Sequence, residues 1–377
     1  MPRVILSTIG TSLLTQQIQR DDPIEKSWYA QLRDTANTST SEMPPAIAAI
    51  IDALKQRAEA KLANADIAQR RNASAELNGI YGIYQNQLTQ GQQDIHYLIA
   101  TDTHQGLTTA QVVENFLRGQ GIVNVTTYTP PGLTTASSQA FAWGIDELLE
   151  WLENNLRPLQ EQSHYTINFN LVGGFKALQG FLNTLGMFYA DELTYIFEGT
   201  NNLITIPRLP VVVDPTAIAP HAALMALLAA NAPISAQELP DLPETIVTKL
   251  EGEALLTTWG KLLWNQVKGD VLSGELLSLP YLSYLDSFYR DYQDCRNPKE
   301  RVKLQETLTK VSSLLAKSQG DIGVLKADGG ILYEKYKDRN IDHFRVTQGL
   351  RVSCHGENQQ LILHRYGKEP EVNAHPE

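Results

Sequence analysis

Between residues 3 and 207, short β-branched or aromatic runs alternate with longer stretches of helical pattern, and this alternation constrains the fold more than any other feature. Val4-Ile5-Leu6-Ser7 reads as a strand and is followed by the polar turn Thr8-Ile9-Gly10-Thr11-Ser12. Residues 45–90, rich in Ala, Gln and Leu, read as a helical pair, 94–101 as a second strand and 107–119 as a helix. A third strand is expected at 124–128, then an amphipathic helix at 136–155 carrying Phe141, Trp143, Leu148 and Trp151. Residues 165–172 form the fourth expected strand and 173–190 the next helix. Strands at 193–198 and 203–207 flank an Asn-Asn turn. Strands separated by helices predict an α/β fold with a parallel, doubly wound sheet and flanking helices.

The pattern then changes. Residues 211–213 look strand-like, an Ala/Leu helix follows to about 232, and Ser235 and Glu238 stand at capping-box spacing before a helical stretch through Trp259 and Trp264. Residues 281–292 and 300–317 read as two helices; in the second, Leu304, Leu308, Val311 and Leu315 make one apolar stripe. Strand candidates at 331–337, 343–347, 350–355 and 360–366 are separated by Gly329-Gly330, Gly349 and Gly356-Glu357-Asn358. Two helices followed by an antiparallel meander predict a small α+β domain. The expected organisation is residues 1–215, a helical connecting module at 216–270, and 271–377.

A chain of 377 residues with two cysteines, Cys295 and Cys354, offers neither a disulfide framework nor a four-cysteine metal site. No apolar run reaches the ~18 residues that span a bilayer, and MPRVILSTIG reads as a strand rather than a signal peptide, so a cytoplasmic protein without a membrane partner is expected. The net charge of −11 is uneven: residues 1–269 hold 16 basic and 26 acidic side chains, residues 270–377 hold 15 and 16. So acidic a chain is a poor generic nucleic-acid binder, and any such chemistry should use a local site in the C-terminal third.

In open α/β sheets, ligands sit beyond the carboxyl ends of the strands. Three features fall there: Gly10-Thr11-Ser12, Thr101-Asp102-Thr103, and the string Asn170-Leu171-Val172-Gly173-Gly174-Phe175-Lys176. Paired glycines let backbone N–H groups approach a ligand, the helix N-terminus is partially positive, and Lys176 adds a full charge. The same residues also fit a tight strand-to-helix turn followed by a solvated lysine.

The strings VILSTIGTSLLT and NFNLVGGFKALQGF together resemble the CARF domains of type III CRISPR ancillary proteins, over roughly residues 1–215. The resemblance implies a Rossmann-like domain and a homodimer that binds cyclic tetra-adenylate, an allosteric activator rather than a cofactor, across its two-fold axis. By position it assigns Gly10, Thr11, Ser12, Gly173, Gly174, Phe175 and Lys176 to the ring, with Asp102 and Thr103 at its edge. Some such domains cleave the ring with a serine and a lysine matching Ser12 and Lys176.

No arginine has a histidine five residues later, which excludes the Arg-x-x-x-x-His ribonuclease motif, and the late strands show no carboxylate cluster for a metal. They carry Lys335, Lys337, Arg339, His343, Arg345, Arg351, His364, Arg365 and Lys368 instead. RNA cleavage without metal needs a base, an acid and cations for the phosphorane, and such strands supply all three. They also fit a solvated sheet face balanced by Glu334, Asp338 and Asp342.

From LKADGG to HRYGKEP the segment resembles the RelE superfamily of toxins, over about residues 280–370. That resemblance implies metal-free cleavage of messenger RNA on the translating ribosome, so mRNA and ribosome are the expected partners. Arg351 matches the central arginine and Lys368 the lysine after the last strand. Lys335, Lys337 and Arg345 are further cations, and His364 or Tyr366 a proton-transfer group. Glu369 stands where many members have a second basic residue. The function so implied is a cyclic tetra-adenylate-activated endoribonuclease; a ring nuclease, and a non-catalytic ribosome- or nucleic-acid-binding regulator, are the alternatives.

Overall fold

The computed structural model describes the chain except residues 163, 198–201, 238, 241 and 338, and the side chain of residue 217. Four residues of the expected elements (Glu198, Asn201, Glu238 and Asp338) thus lie outside the described residues. The chain divides into two compact units, Met1–Val211 and Val212–Glu377.

The first unit is built on a six-stranded sheet of β1 (Arg3–Thr8), β2 (Ile95–Ile99), β3 (Val125–Tyr128), β4 (Thr166–Asn170), β5 (Glu192–Ile196) and β6 (Leu203–Pro207), ordered β3-β2-β1-β4-β5-β6. The first five strands are parallel, and β6 pairs antiparallel with β5. β1 lies at the centre, and Val4 to Thr8 are all buried, which is why it reads as an unbroken apolar run. Helices flank the sheet. On Pro45–Asn64 the buried residues Ile51, Leu54, Ala58 and Leu62 recur every three or four positions and form one inward stripe. The expected helical pair at 45–90 is three helices, because Asp66 and Ser74 each cap a new one, at Ile67–Ala73 and Ala75–Ile83.

In the second unit a five-stranded sheet runs β10-β11-β12-β13-β9, with β9 at Leu282–Tyr284, β10 at Glu334–Lys335, β11 at Asp342–Arg345, β12 at Leu350–Glu357 and β13 at Gln360–Lys368. The four later strands form the expected antiparallel meander. β9 departs from the expectation: it pairs parallel with β13, and the helix expected at 281–292 begins only at Asp286. The strand expected at 331–337 shrinks to two residues, and 211–213 is not a strand.

The 216–270 segment packs inside this same unit. It contains a hairpin of β7 (Val247–Leu250) and β8 (Glu253–Leu256) as well as helices Ala222–Ala229 and Thr258–Leu272. Leu227 and Ala232 join the core made by Leu304, Leu308, Val311, Leu315, Phe288, Phe344 and Val352. No helix starts at Ser235, whose hydroxyl accepts from the Gln237 N–H; the next α-helix is capped by Thr257.

One irregularity shapes the sheet of the second unit. Cys354 pairs with Leu363 and Ser353 with Arg365, so His364 is an extra residue, a β-bulge. Helix Asp286–Asp294 and the residue before it absorb the backbone groups displaced there. Leu285 N–H donates to the Leu363 carbonyl (3.0 Å), Ser287 Oγ to the His364 carbonyl (2.7 Å), and Tyr366 N–H to Asp291 Oδ2 (3.0 Å). Asp291 also takes a two-pronged contact from Arg365, at 2.7 and 3.0 Å. Asp291→Ala should leave that guanidinium and N–H without acceptors and destabilise this unit by about 2–4 kcal/mol. A fall in the unit's urea midpoint, with signals of the first unit unchanged, is the expected observation.

Candidate functional site

The strand order of the first sheet reverses between β1 and β4, where the outgoing connections diverge and leave a crevice at the carboxyl ends. A cavity of about 430 Å³ opens there, lined by Gly10, Thr11, Ser12, Gly173 and Gly174 together with Thr15, Tyr29, Arg33 and Gln105. Residues 160 positions apart thus meet. A Cβ on Gly10 would lie 3.1 Å from the Gly174 nitrogen, and Gly174 has φ +86° with Thr8 Cβ only 2.9 Å from where its own Cβ would be. Position 174 requires glycine, and at position 10 a side chain would press on the Gly174 backbone. The turn is held from below by Thr8 Oγ1, which donates to the Gly173 carbonyl at 2.5 Å, and by Gln179 Nε2, which donates to the same oxygen at 2.9 Å.

Lys176 is the first residue of helix Lys176–Tyr189 and is exposed; it does not line the cavity. Phe175, at the N-cap, supplies no side-chain acceptor and packs edge-on against Phe141. The opening N–H groups of that helix therefore have no side-chain cap. Thr103 does the opposite: it is buried and caps helix His104–Gly119 by accepting from Gly106 N–H at 3.1 Å. Asp102 accepts from Gly132 N–H at 2.9 Å, which ties it to the following loop rather than to the cavity wall.

Sequence reasoning missed the residue behind the turn. Glu76 is fully buried, and a Cβ on Gly173 would lie 2.5 Å from its Oε2. Neither carboxyl oxygen has a well-formed hydrogen bond among the described residues. Burial pushes its pKa up to about 7, opposed weakly by its own backbone, the Ser74 hydroxyl and the Gly10 amide. Tyr29, exposed, and Arg33, exposed and paired with Asp34 at 2.9 Å, add an aromatic face and a cation to the cavity wall.

The second unit's candidate site lies on the sheet face turned away from its core. Val352 and Cys354 point inward and are fully buried, so Arg351, Ser353 and His355 share the other face of β12. Cross-strand register adds Arg345 opposite Arg351 and His343 opposite Ser353. Arg351 is buried, with Nη1 donating to the Thr347 carbonyl (2.8 Å) and Nη2 3.0 Å from Glu369 Oε1. Arg345 Nε is a buried donor with no hydrogen-bond partner among the described residues.

His364 meets His355 at 2.5 Å, Nε2 to Nδ1. Burial and the neighbouring His355 lower the His364 pKa, while Glu377 raises it. Burial likewise lowers His343, against the pull of Glu334. Tyr366 faces the core beside Phe288, its pKa raised well out of range by burial, so it does not share the His364 surface. Lys335 is exposed and bonded to Asn340 Oδ1 (3.1 Å), and Lys337 is exposed beyond the strand end. Lys368 is exposed at the start of a final helix, Glu369–Ala374, that sequence reasoning did not foresee. This C-terminal segment lies across the face. Glu369 pairs with Arg351, Asn373 Oδ1 accepts from the Tyr336 hydroxyl (2.6 Å), and the Pro376 carbonyl accepts from Ser353 Oγ (2.6 Å).

Among the described residues, no group of three or more His, Cys, Asp or Glu is placed to hold a metal ion, and no helix is long and apolar enough to cross a membrane. The first unit is thus an α/β protein with a glycine-walled crevice at the reversal point of its sheet. Residues 71–209 match the family model described as CRISPR-associated protein (Cas_APE2256), which indicates a CRISPR-associated protein. The matched stretch includes Glu76 and the Gly173–Lys176 turn.

Two outcomes follow from this geometry. Gly174→Ala forces a non-glycine residue to positive φ against Thr8 and should cost about 1–3 kcal/mol, seen as a lower urea midpoint of the first unit. Glu76 has a folded pKa of about 7 against an ordinary 4.5, so between those values the folded state keeps a proton that the unfolded state releases. Stability from this group is full below pH 4.5, falls as pH rises, and levels off above about 7, a loss of about 3 kcal/mol. Glu76→Gln should remove that slope, measured as the wild-type-minus-variant difference in unfolding free energy at pH 5 and pH 8.

Proposed function

We propose that the protein is a two-part sensor and effector of type III CRISPR defence: the first unit binds cyclic tetra-adenylate as a CARF-type domain, and the second cleaves messenger RNA on translating ribosomes as a RelE-like domain. The observation that carries the reading is the meeting of Gly10 with Gly174 at a crevice. The two strings that resemble the sensor family are about 160 residues apart, and both line one pocket. Glycine backbones, an uncapped helix start, the Thr11 and Ser12 hydroxyls and the Tyr29 ring suit a ligand of alternating phosphates and purines. A homodimer gives each protomer half of a two-fold ring.

In the effector, Arg345 and Arg351 would hold the scissile phosphate and its developing charge, with His364 as a proton carrier and Lys368, Lys335 and Lys337 on the surrounding surface. The contacts of Glu369, Asn373 and Pro376 describe a resting state in which a carboxylate occupies the phosphate position at Arg351. Ring binding must favour the open arrangement by about 5.5 kcal/mol for a near-complete switch.

The test is incubation with translating ribosomes, with and without cyclic tetra-adenylate, followed by mapping of messenger ends. Cleavage should appear only with the ring, fall at least 100-fold in Arg351→Ala, and rise severalfold without ring in Glu369→Ala. Equal cleavage of naked and ribosome-bound RNA would remove the ribosome from the scheme.

A further inference from the structure

We propose that His355, which neither the family match nor the toxin resemblance marks, is the second half of a two-histidine proton relay with His364; this rests on the reading of the second unit as an RNA-cleaving domain. The geometry is unusual for two surface-strand histidines. The rings are edge-to-face at 87°, their centroids 4.8 Å apart, and His355 Nδ1 meets His364 Nε2 at 2.5 Å. One proton must lie between those nitrogens, since two lone pairs or two N–H groups would repel at that distance.

The pair exists because of the bulge. In a regular ladder His364 would alternate with Leu363 and stand opposite a β12 residue; as the extra residue it is unpaired in the register and free to turn toward His355. Leu285 N–H holds the Leu363 carbonyl before it, Ser287 Oγ its own carbonyl, and Asp291 the Tyr366 N–H two residues on, so the backbone that carries its ring is fixed by hydrogen bonds. His364 is buried and His355 about one-third exposed. The charged groups around them are Glu357, 3.7 Å from His355 Nε2, Glu377 near His364, and Arg351 on the same face of β12. The relay starts with both imidazoles neutral, a form that the burial of His364 favours.

In that state one proton bridges the rings, one outward nitrogen carries hydrogen, and the other is bare. The bare nitrogen, assigned to the more accessible His355, takes the proton of a ribose 2′-hydroxyl as O2′ attacks phosphorus. The bridging proton shifts to His364, whose outward N–H passes to O5′ as the P–O5′ bond breaks. The products are a 2′,3′-cyclic phosphate and a 5′-hydroxyl; one proton enters the pair and one leaves, and no oxidant, reductant or metal is needed. The relay then stands in the opposite tautomer.

The test uses the full-length protein labelled at histidine. In wild-type NMR titrations, His355 and His364 should titrate as one coupled pair with two macroscopic steps more than one pH unit apart. In His355→Gln, His364 should titrate in a single step, with the melting temperature unchanged. Ring-activated messenger cleavage should fall by about 100-fold or more in both His355→Gln and His355→Asn and lose its acid limb. Binding of a 2′-O-methyl oligonucleotide, which cannot be cut, should be retained. Independent titration of the two histidines, or wild-type cleavage with an unaltered pH profile in both variants, overturns the relay alone. A wild-type protein that cuts no RNA under any condition overturns the RNA-cleaving reading and the relay with it.

Discussion

The backbone contact between Gly10 and Gly174 is the constraint on which the first unit's site depends. β1 and β4 are hydrogen-bonded neighbours at the centre of the sheet, so the chains leaving their carboxyl ends start about 5 Å apart. Side chains at these positions would wedge them open and fill the crevice. With hydrogen in place of Cβ, the two loops close onto each other and line the cavity with backbone. Thr8 enforces this from the strand itself: its side chain bonds the Gly173 carbonyl and, by its bulk, permits only glycine at 174. The buried Glu76 is the counterpart of that closure. It is a carboxyl kept against backbone where water cannot reach it, and it shifts toward its neutral form in place of finding a partner.

The second unit solves a related problem with a bulge instead of glycines. An extra residue in β13 leaves displaced carbonyls and an N–H group. Leu285 and the helix Asp286–Asp294 that follows it fill each of them, and Asp291 does so while neutralising Arg365. The same device returns the strand to its core alternation: Leu361 and Leu363 before the bulge and Tyr366 after it all pack inward. The bulge therefore decides two assignments that sequence spacing leaves open between His364 and Tyr366. The tyrosine belongs to the core, and the histidine belongs to the face with Arg351.

What was legible in the chain follows from how local each signal is. β1 was readable because a central strand buried on both faces gives a continuous apolar run, β2 to β5 because their β-branched and aromatic residues stand between helical stretches, and the stripe of Leu304, Leu308, Val311 and Leu315 lands in the core as its spacing requires. β9 was not readable. Three residues, Leu282-Ser283-Tyr284, are too few to show a period of two, and their partner β13 lies about 80 positions away. The helix Glu369–Ala374 is six residues with little apolar content, ordered by Val372 and by contacts with β12 and β13. Glu76 was invisible for a different reason. AELNGIYGI reads as an ordinary helix whose glutamate belongs in solvent, and only the packing of β4 and the glycine turn over it makes that position interior. Arg351 was legible as a residue, whereas its burial and its pairing with Glu369 are products of the tertiary fold.

That pairing bears on how a cationic face of this kind can be switched. Glu369 is 41% exposed, so its ion pair is partly screened and contributes on the order of 1 kcal/mol. The Arg351 side chain is 6% exposed, and a guanidinium left there without an anion carries a penalty of several kcal/mol. Part of that burial is supplied by the C-terminal segment itself, which lies across the face, so its release removes the anion and at the same time opens the guanidinium to water. Under the proposed function a phosphodiester takes the place of the carboxylate at Arg351, offering two oxygens to a planar fork of donors, with Arg345 opposite on the neighbouring strand. On that reading a substrate presented in fixed geometry suits this face better than one captured from solution, in accord with the near-balanced charge of the C-terminal third.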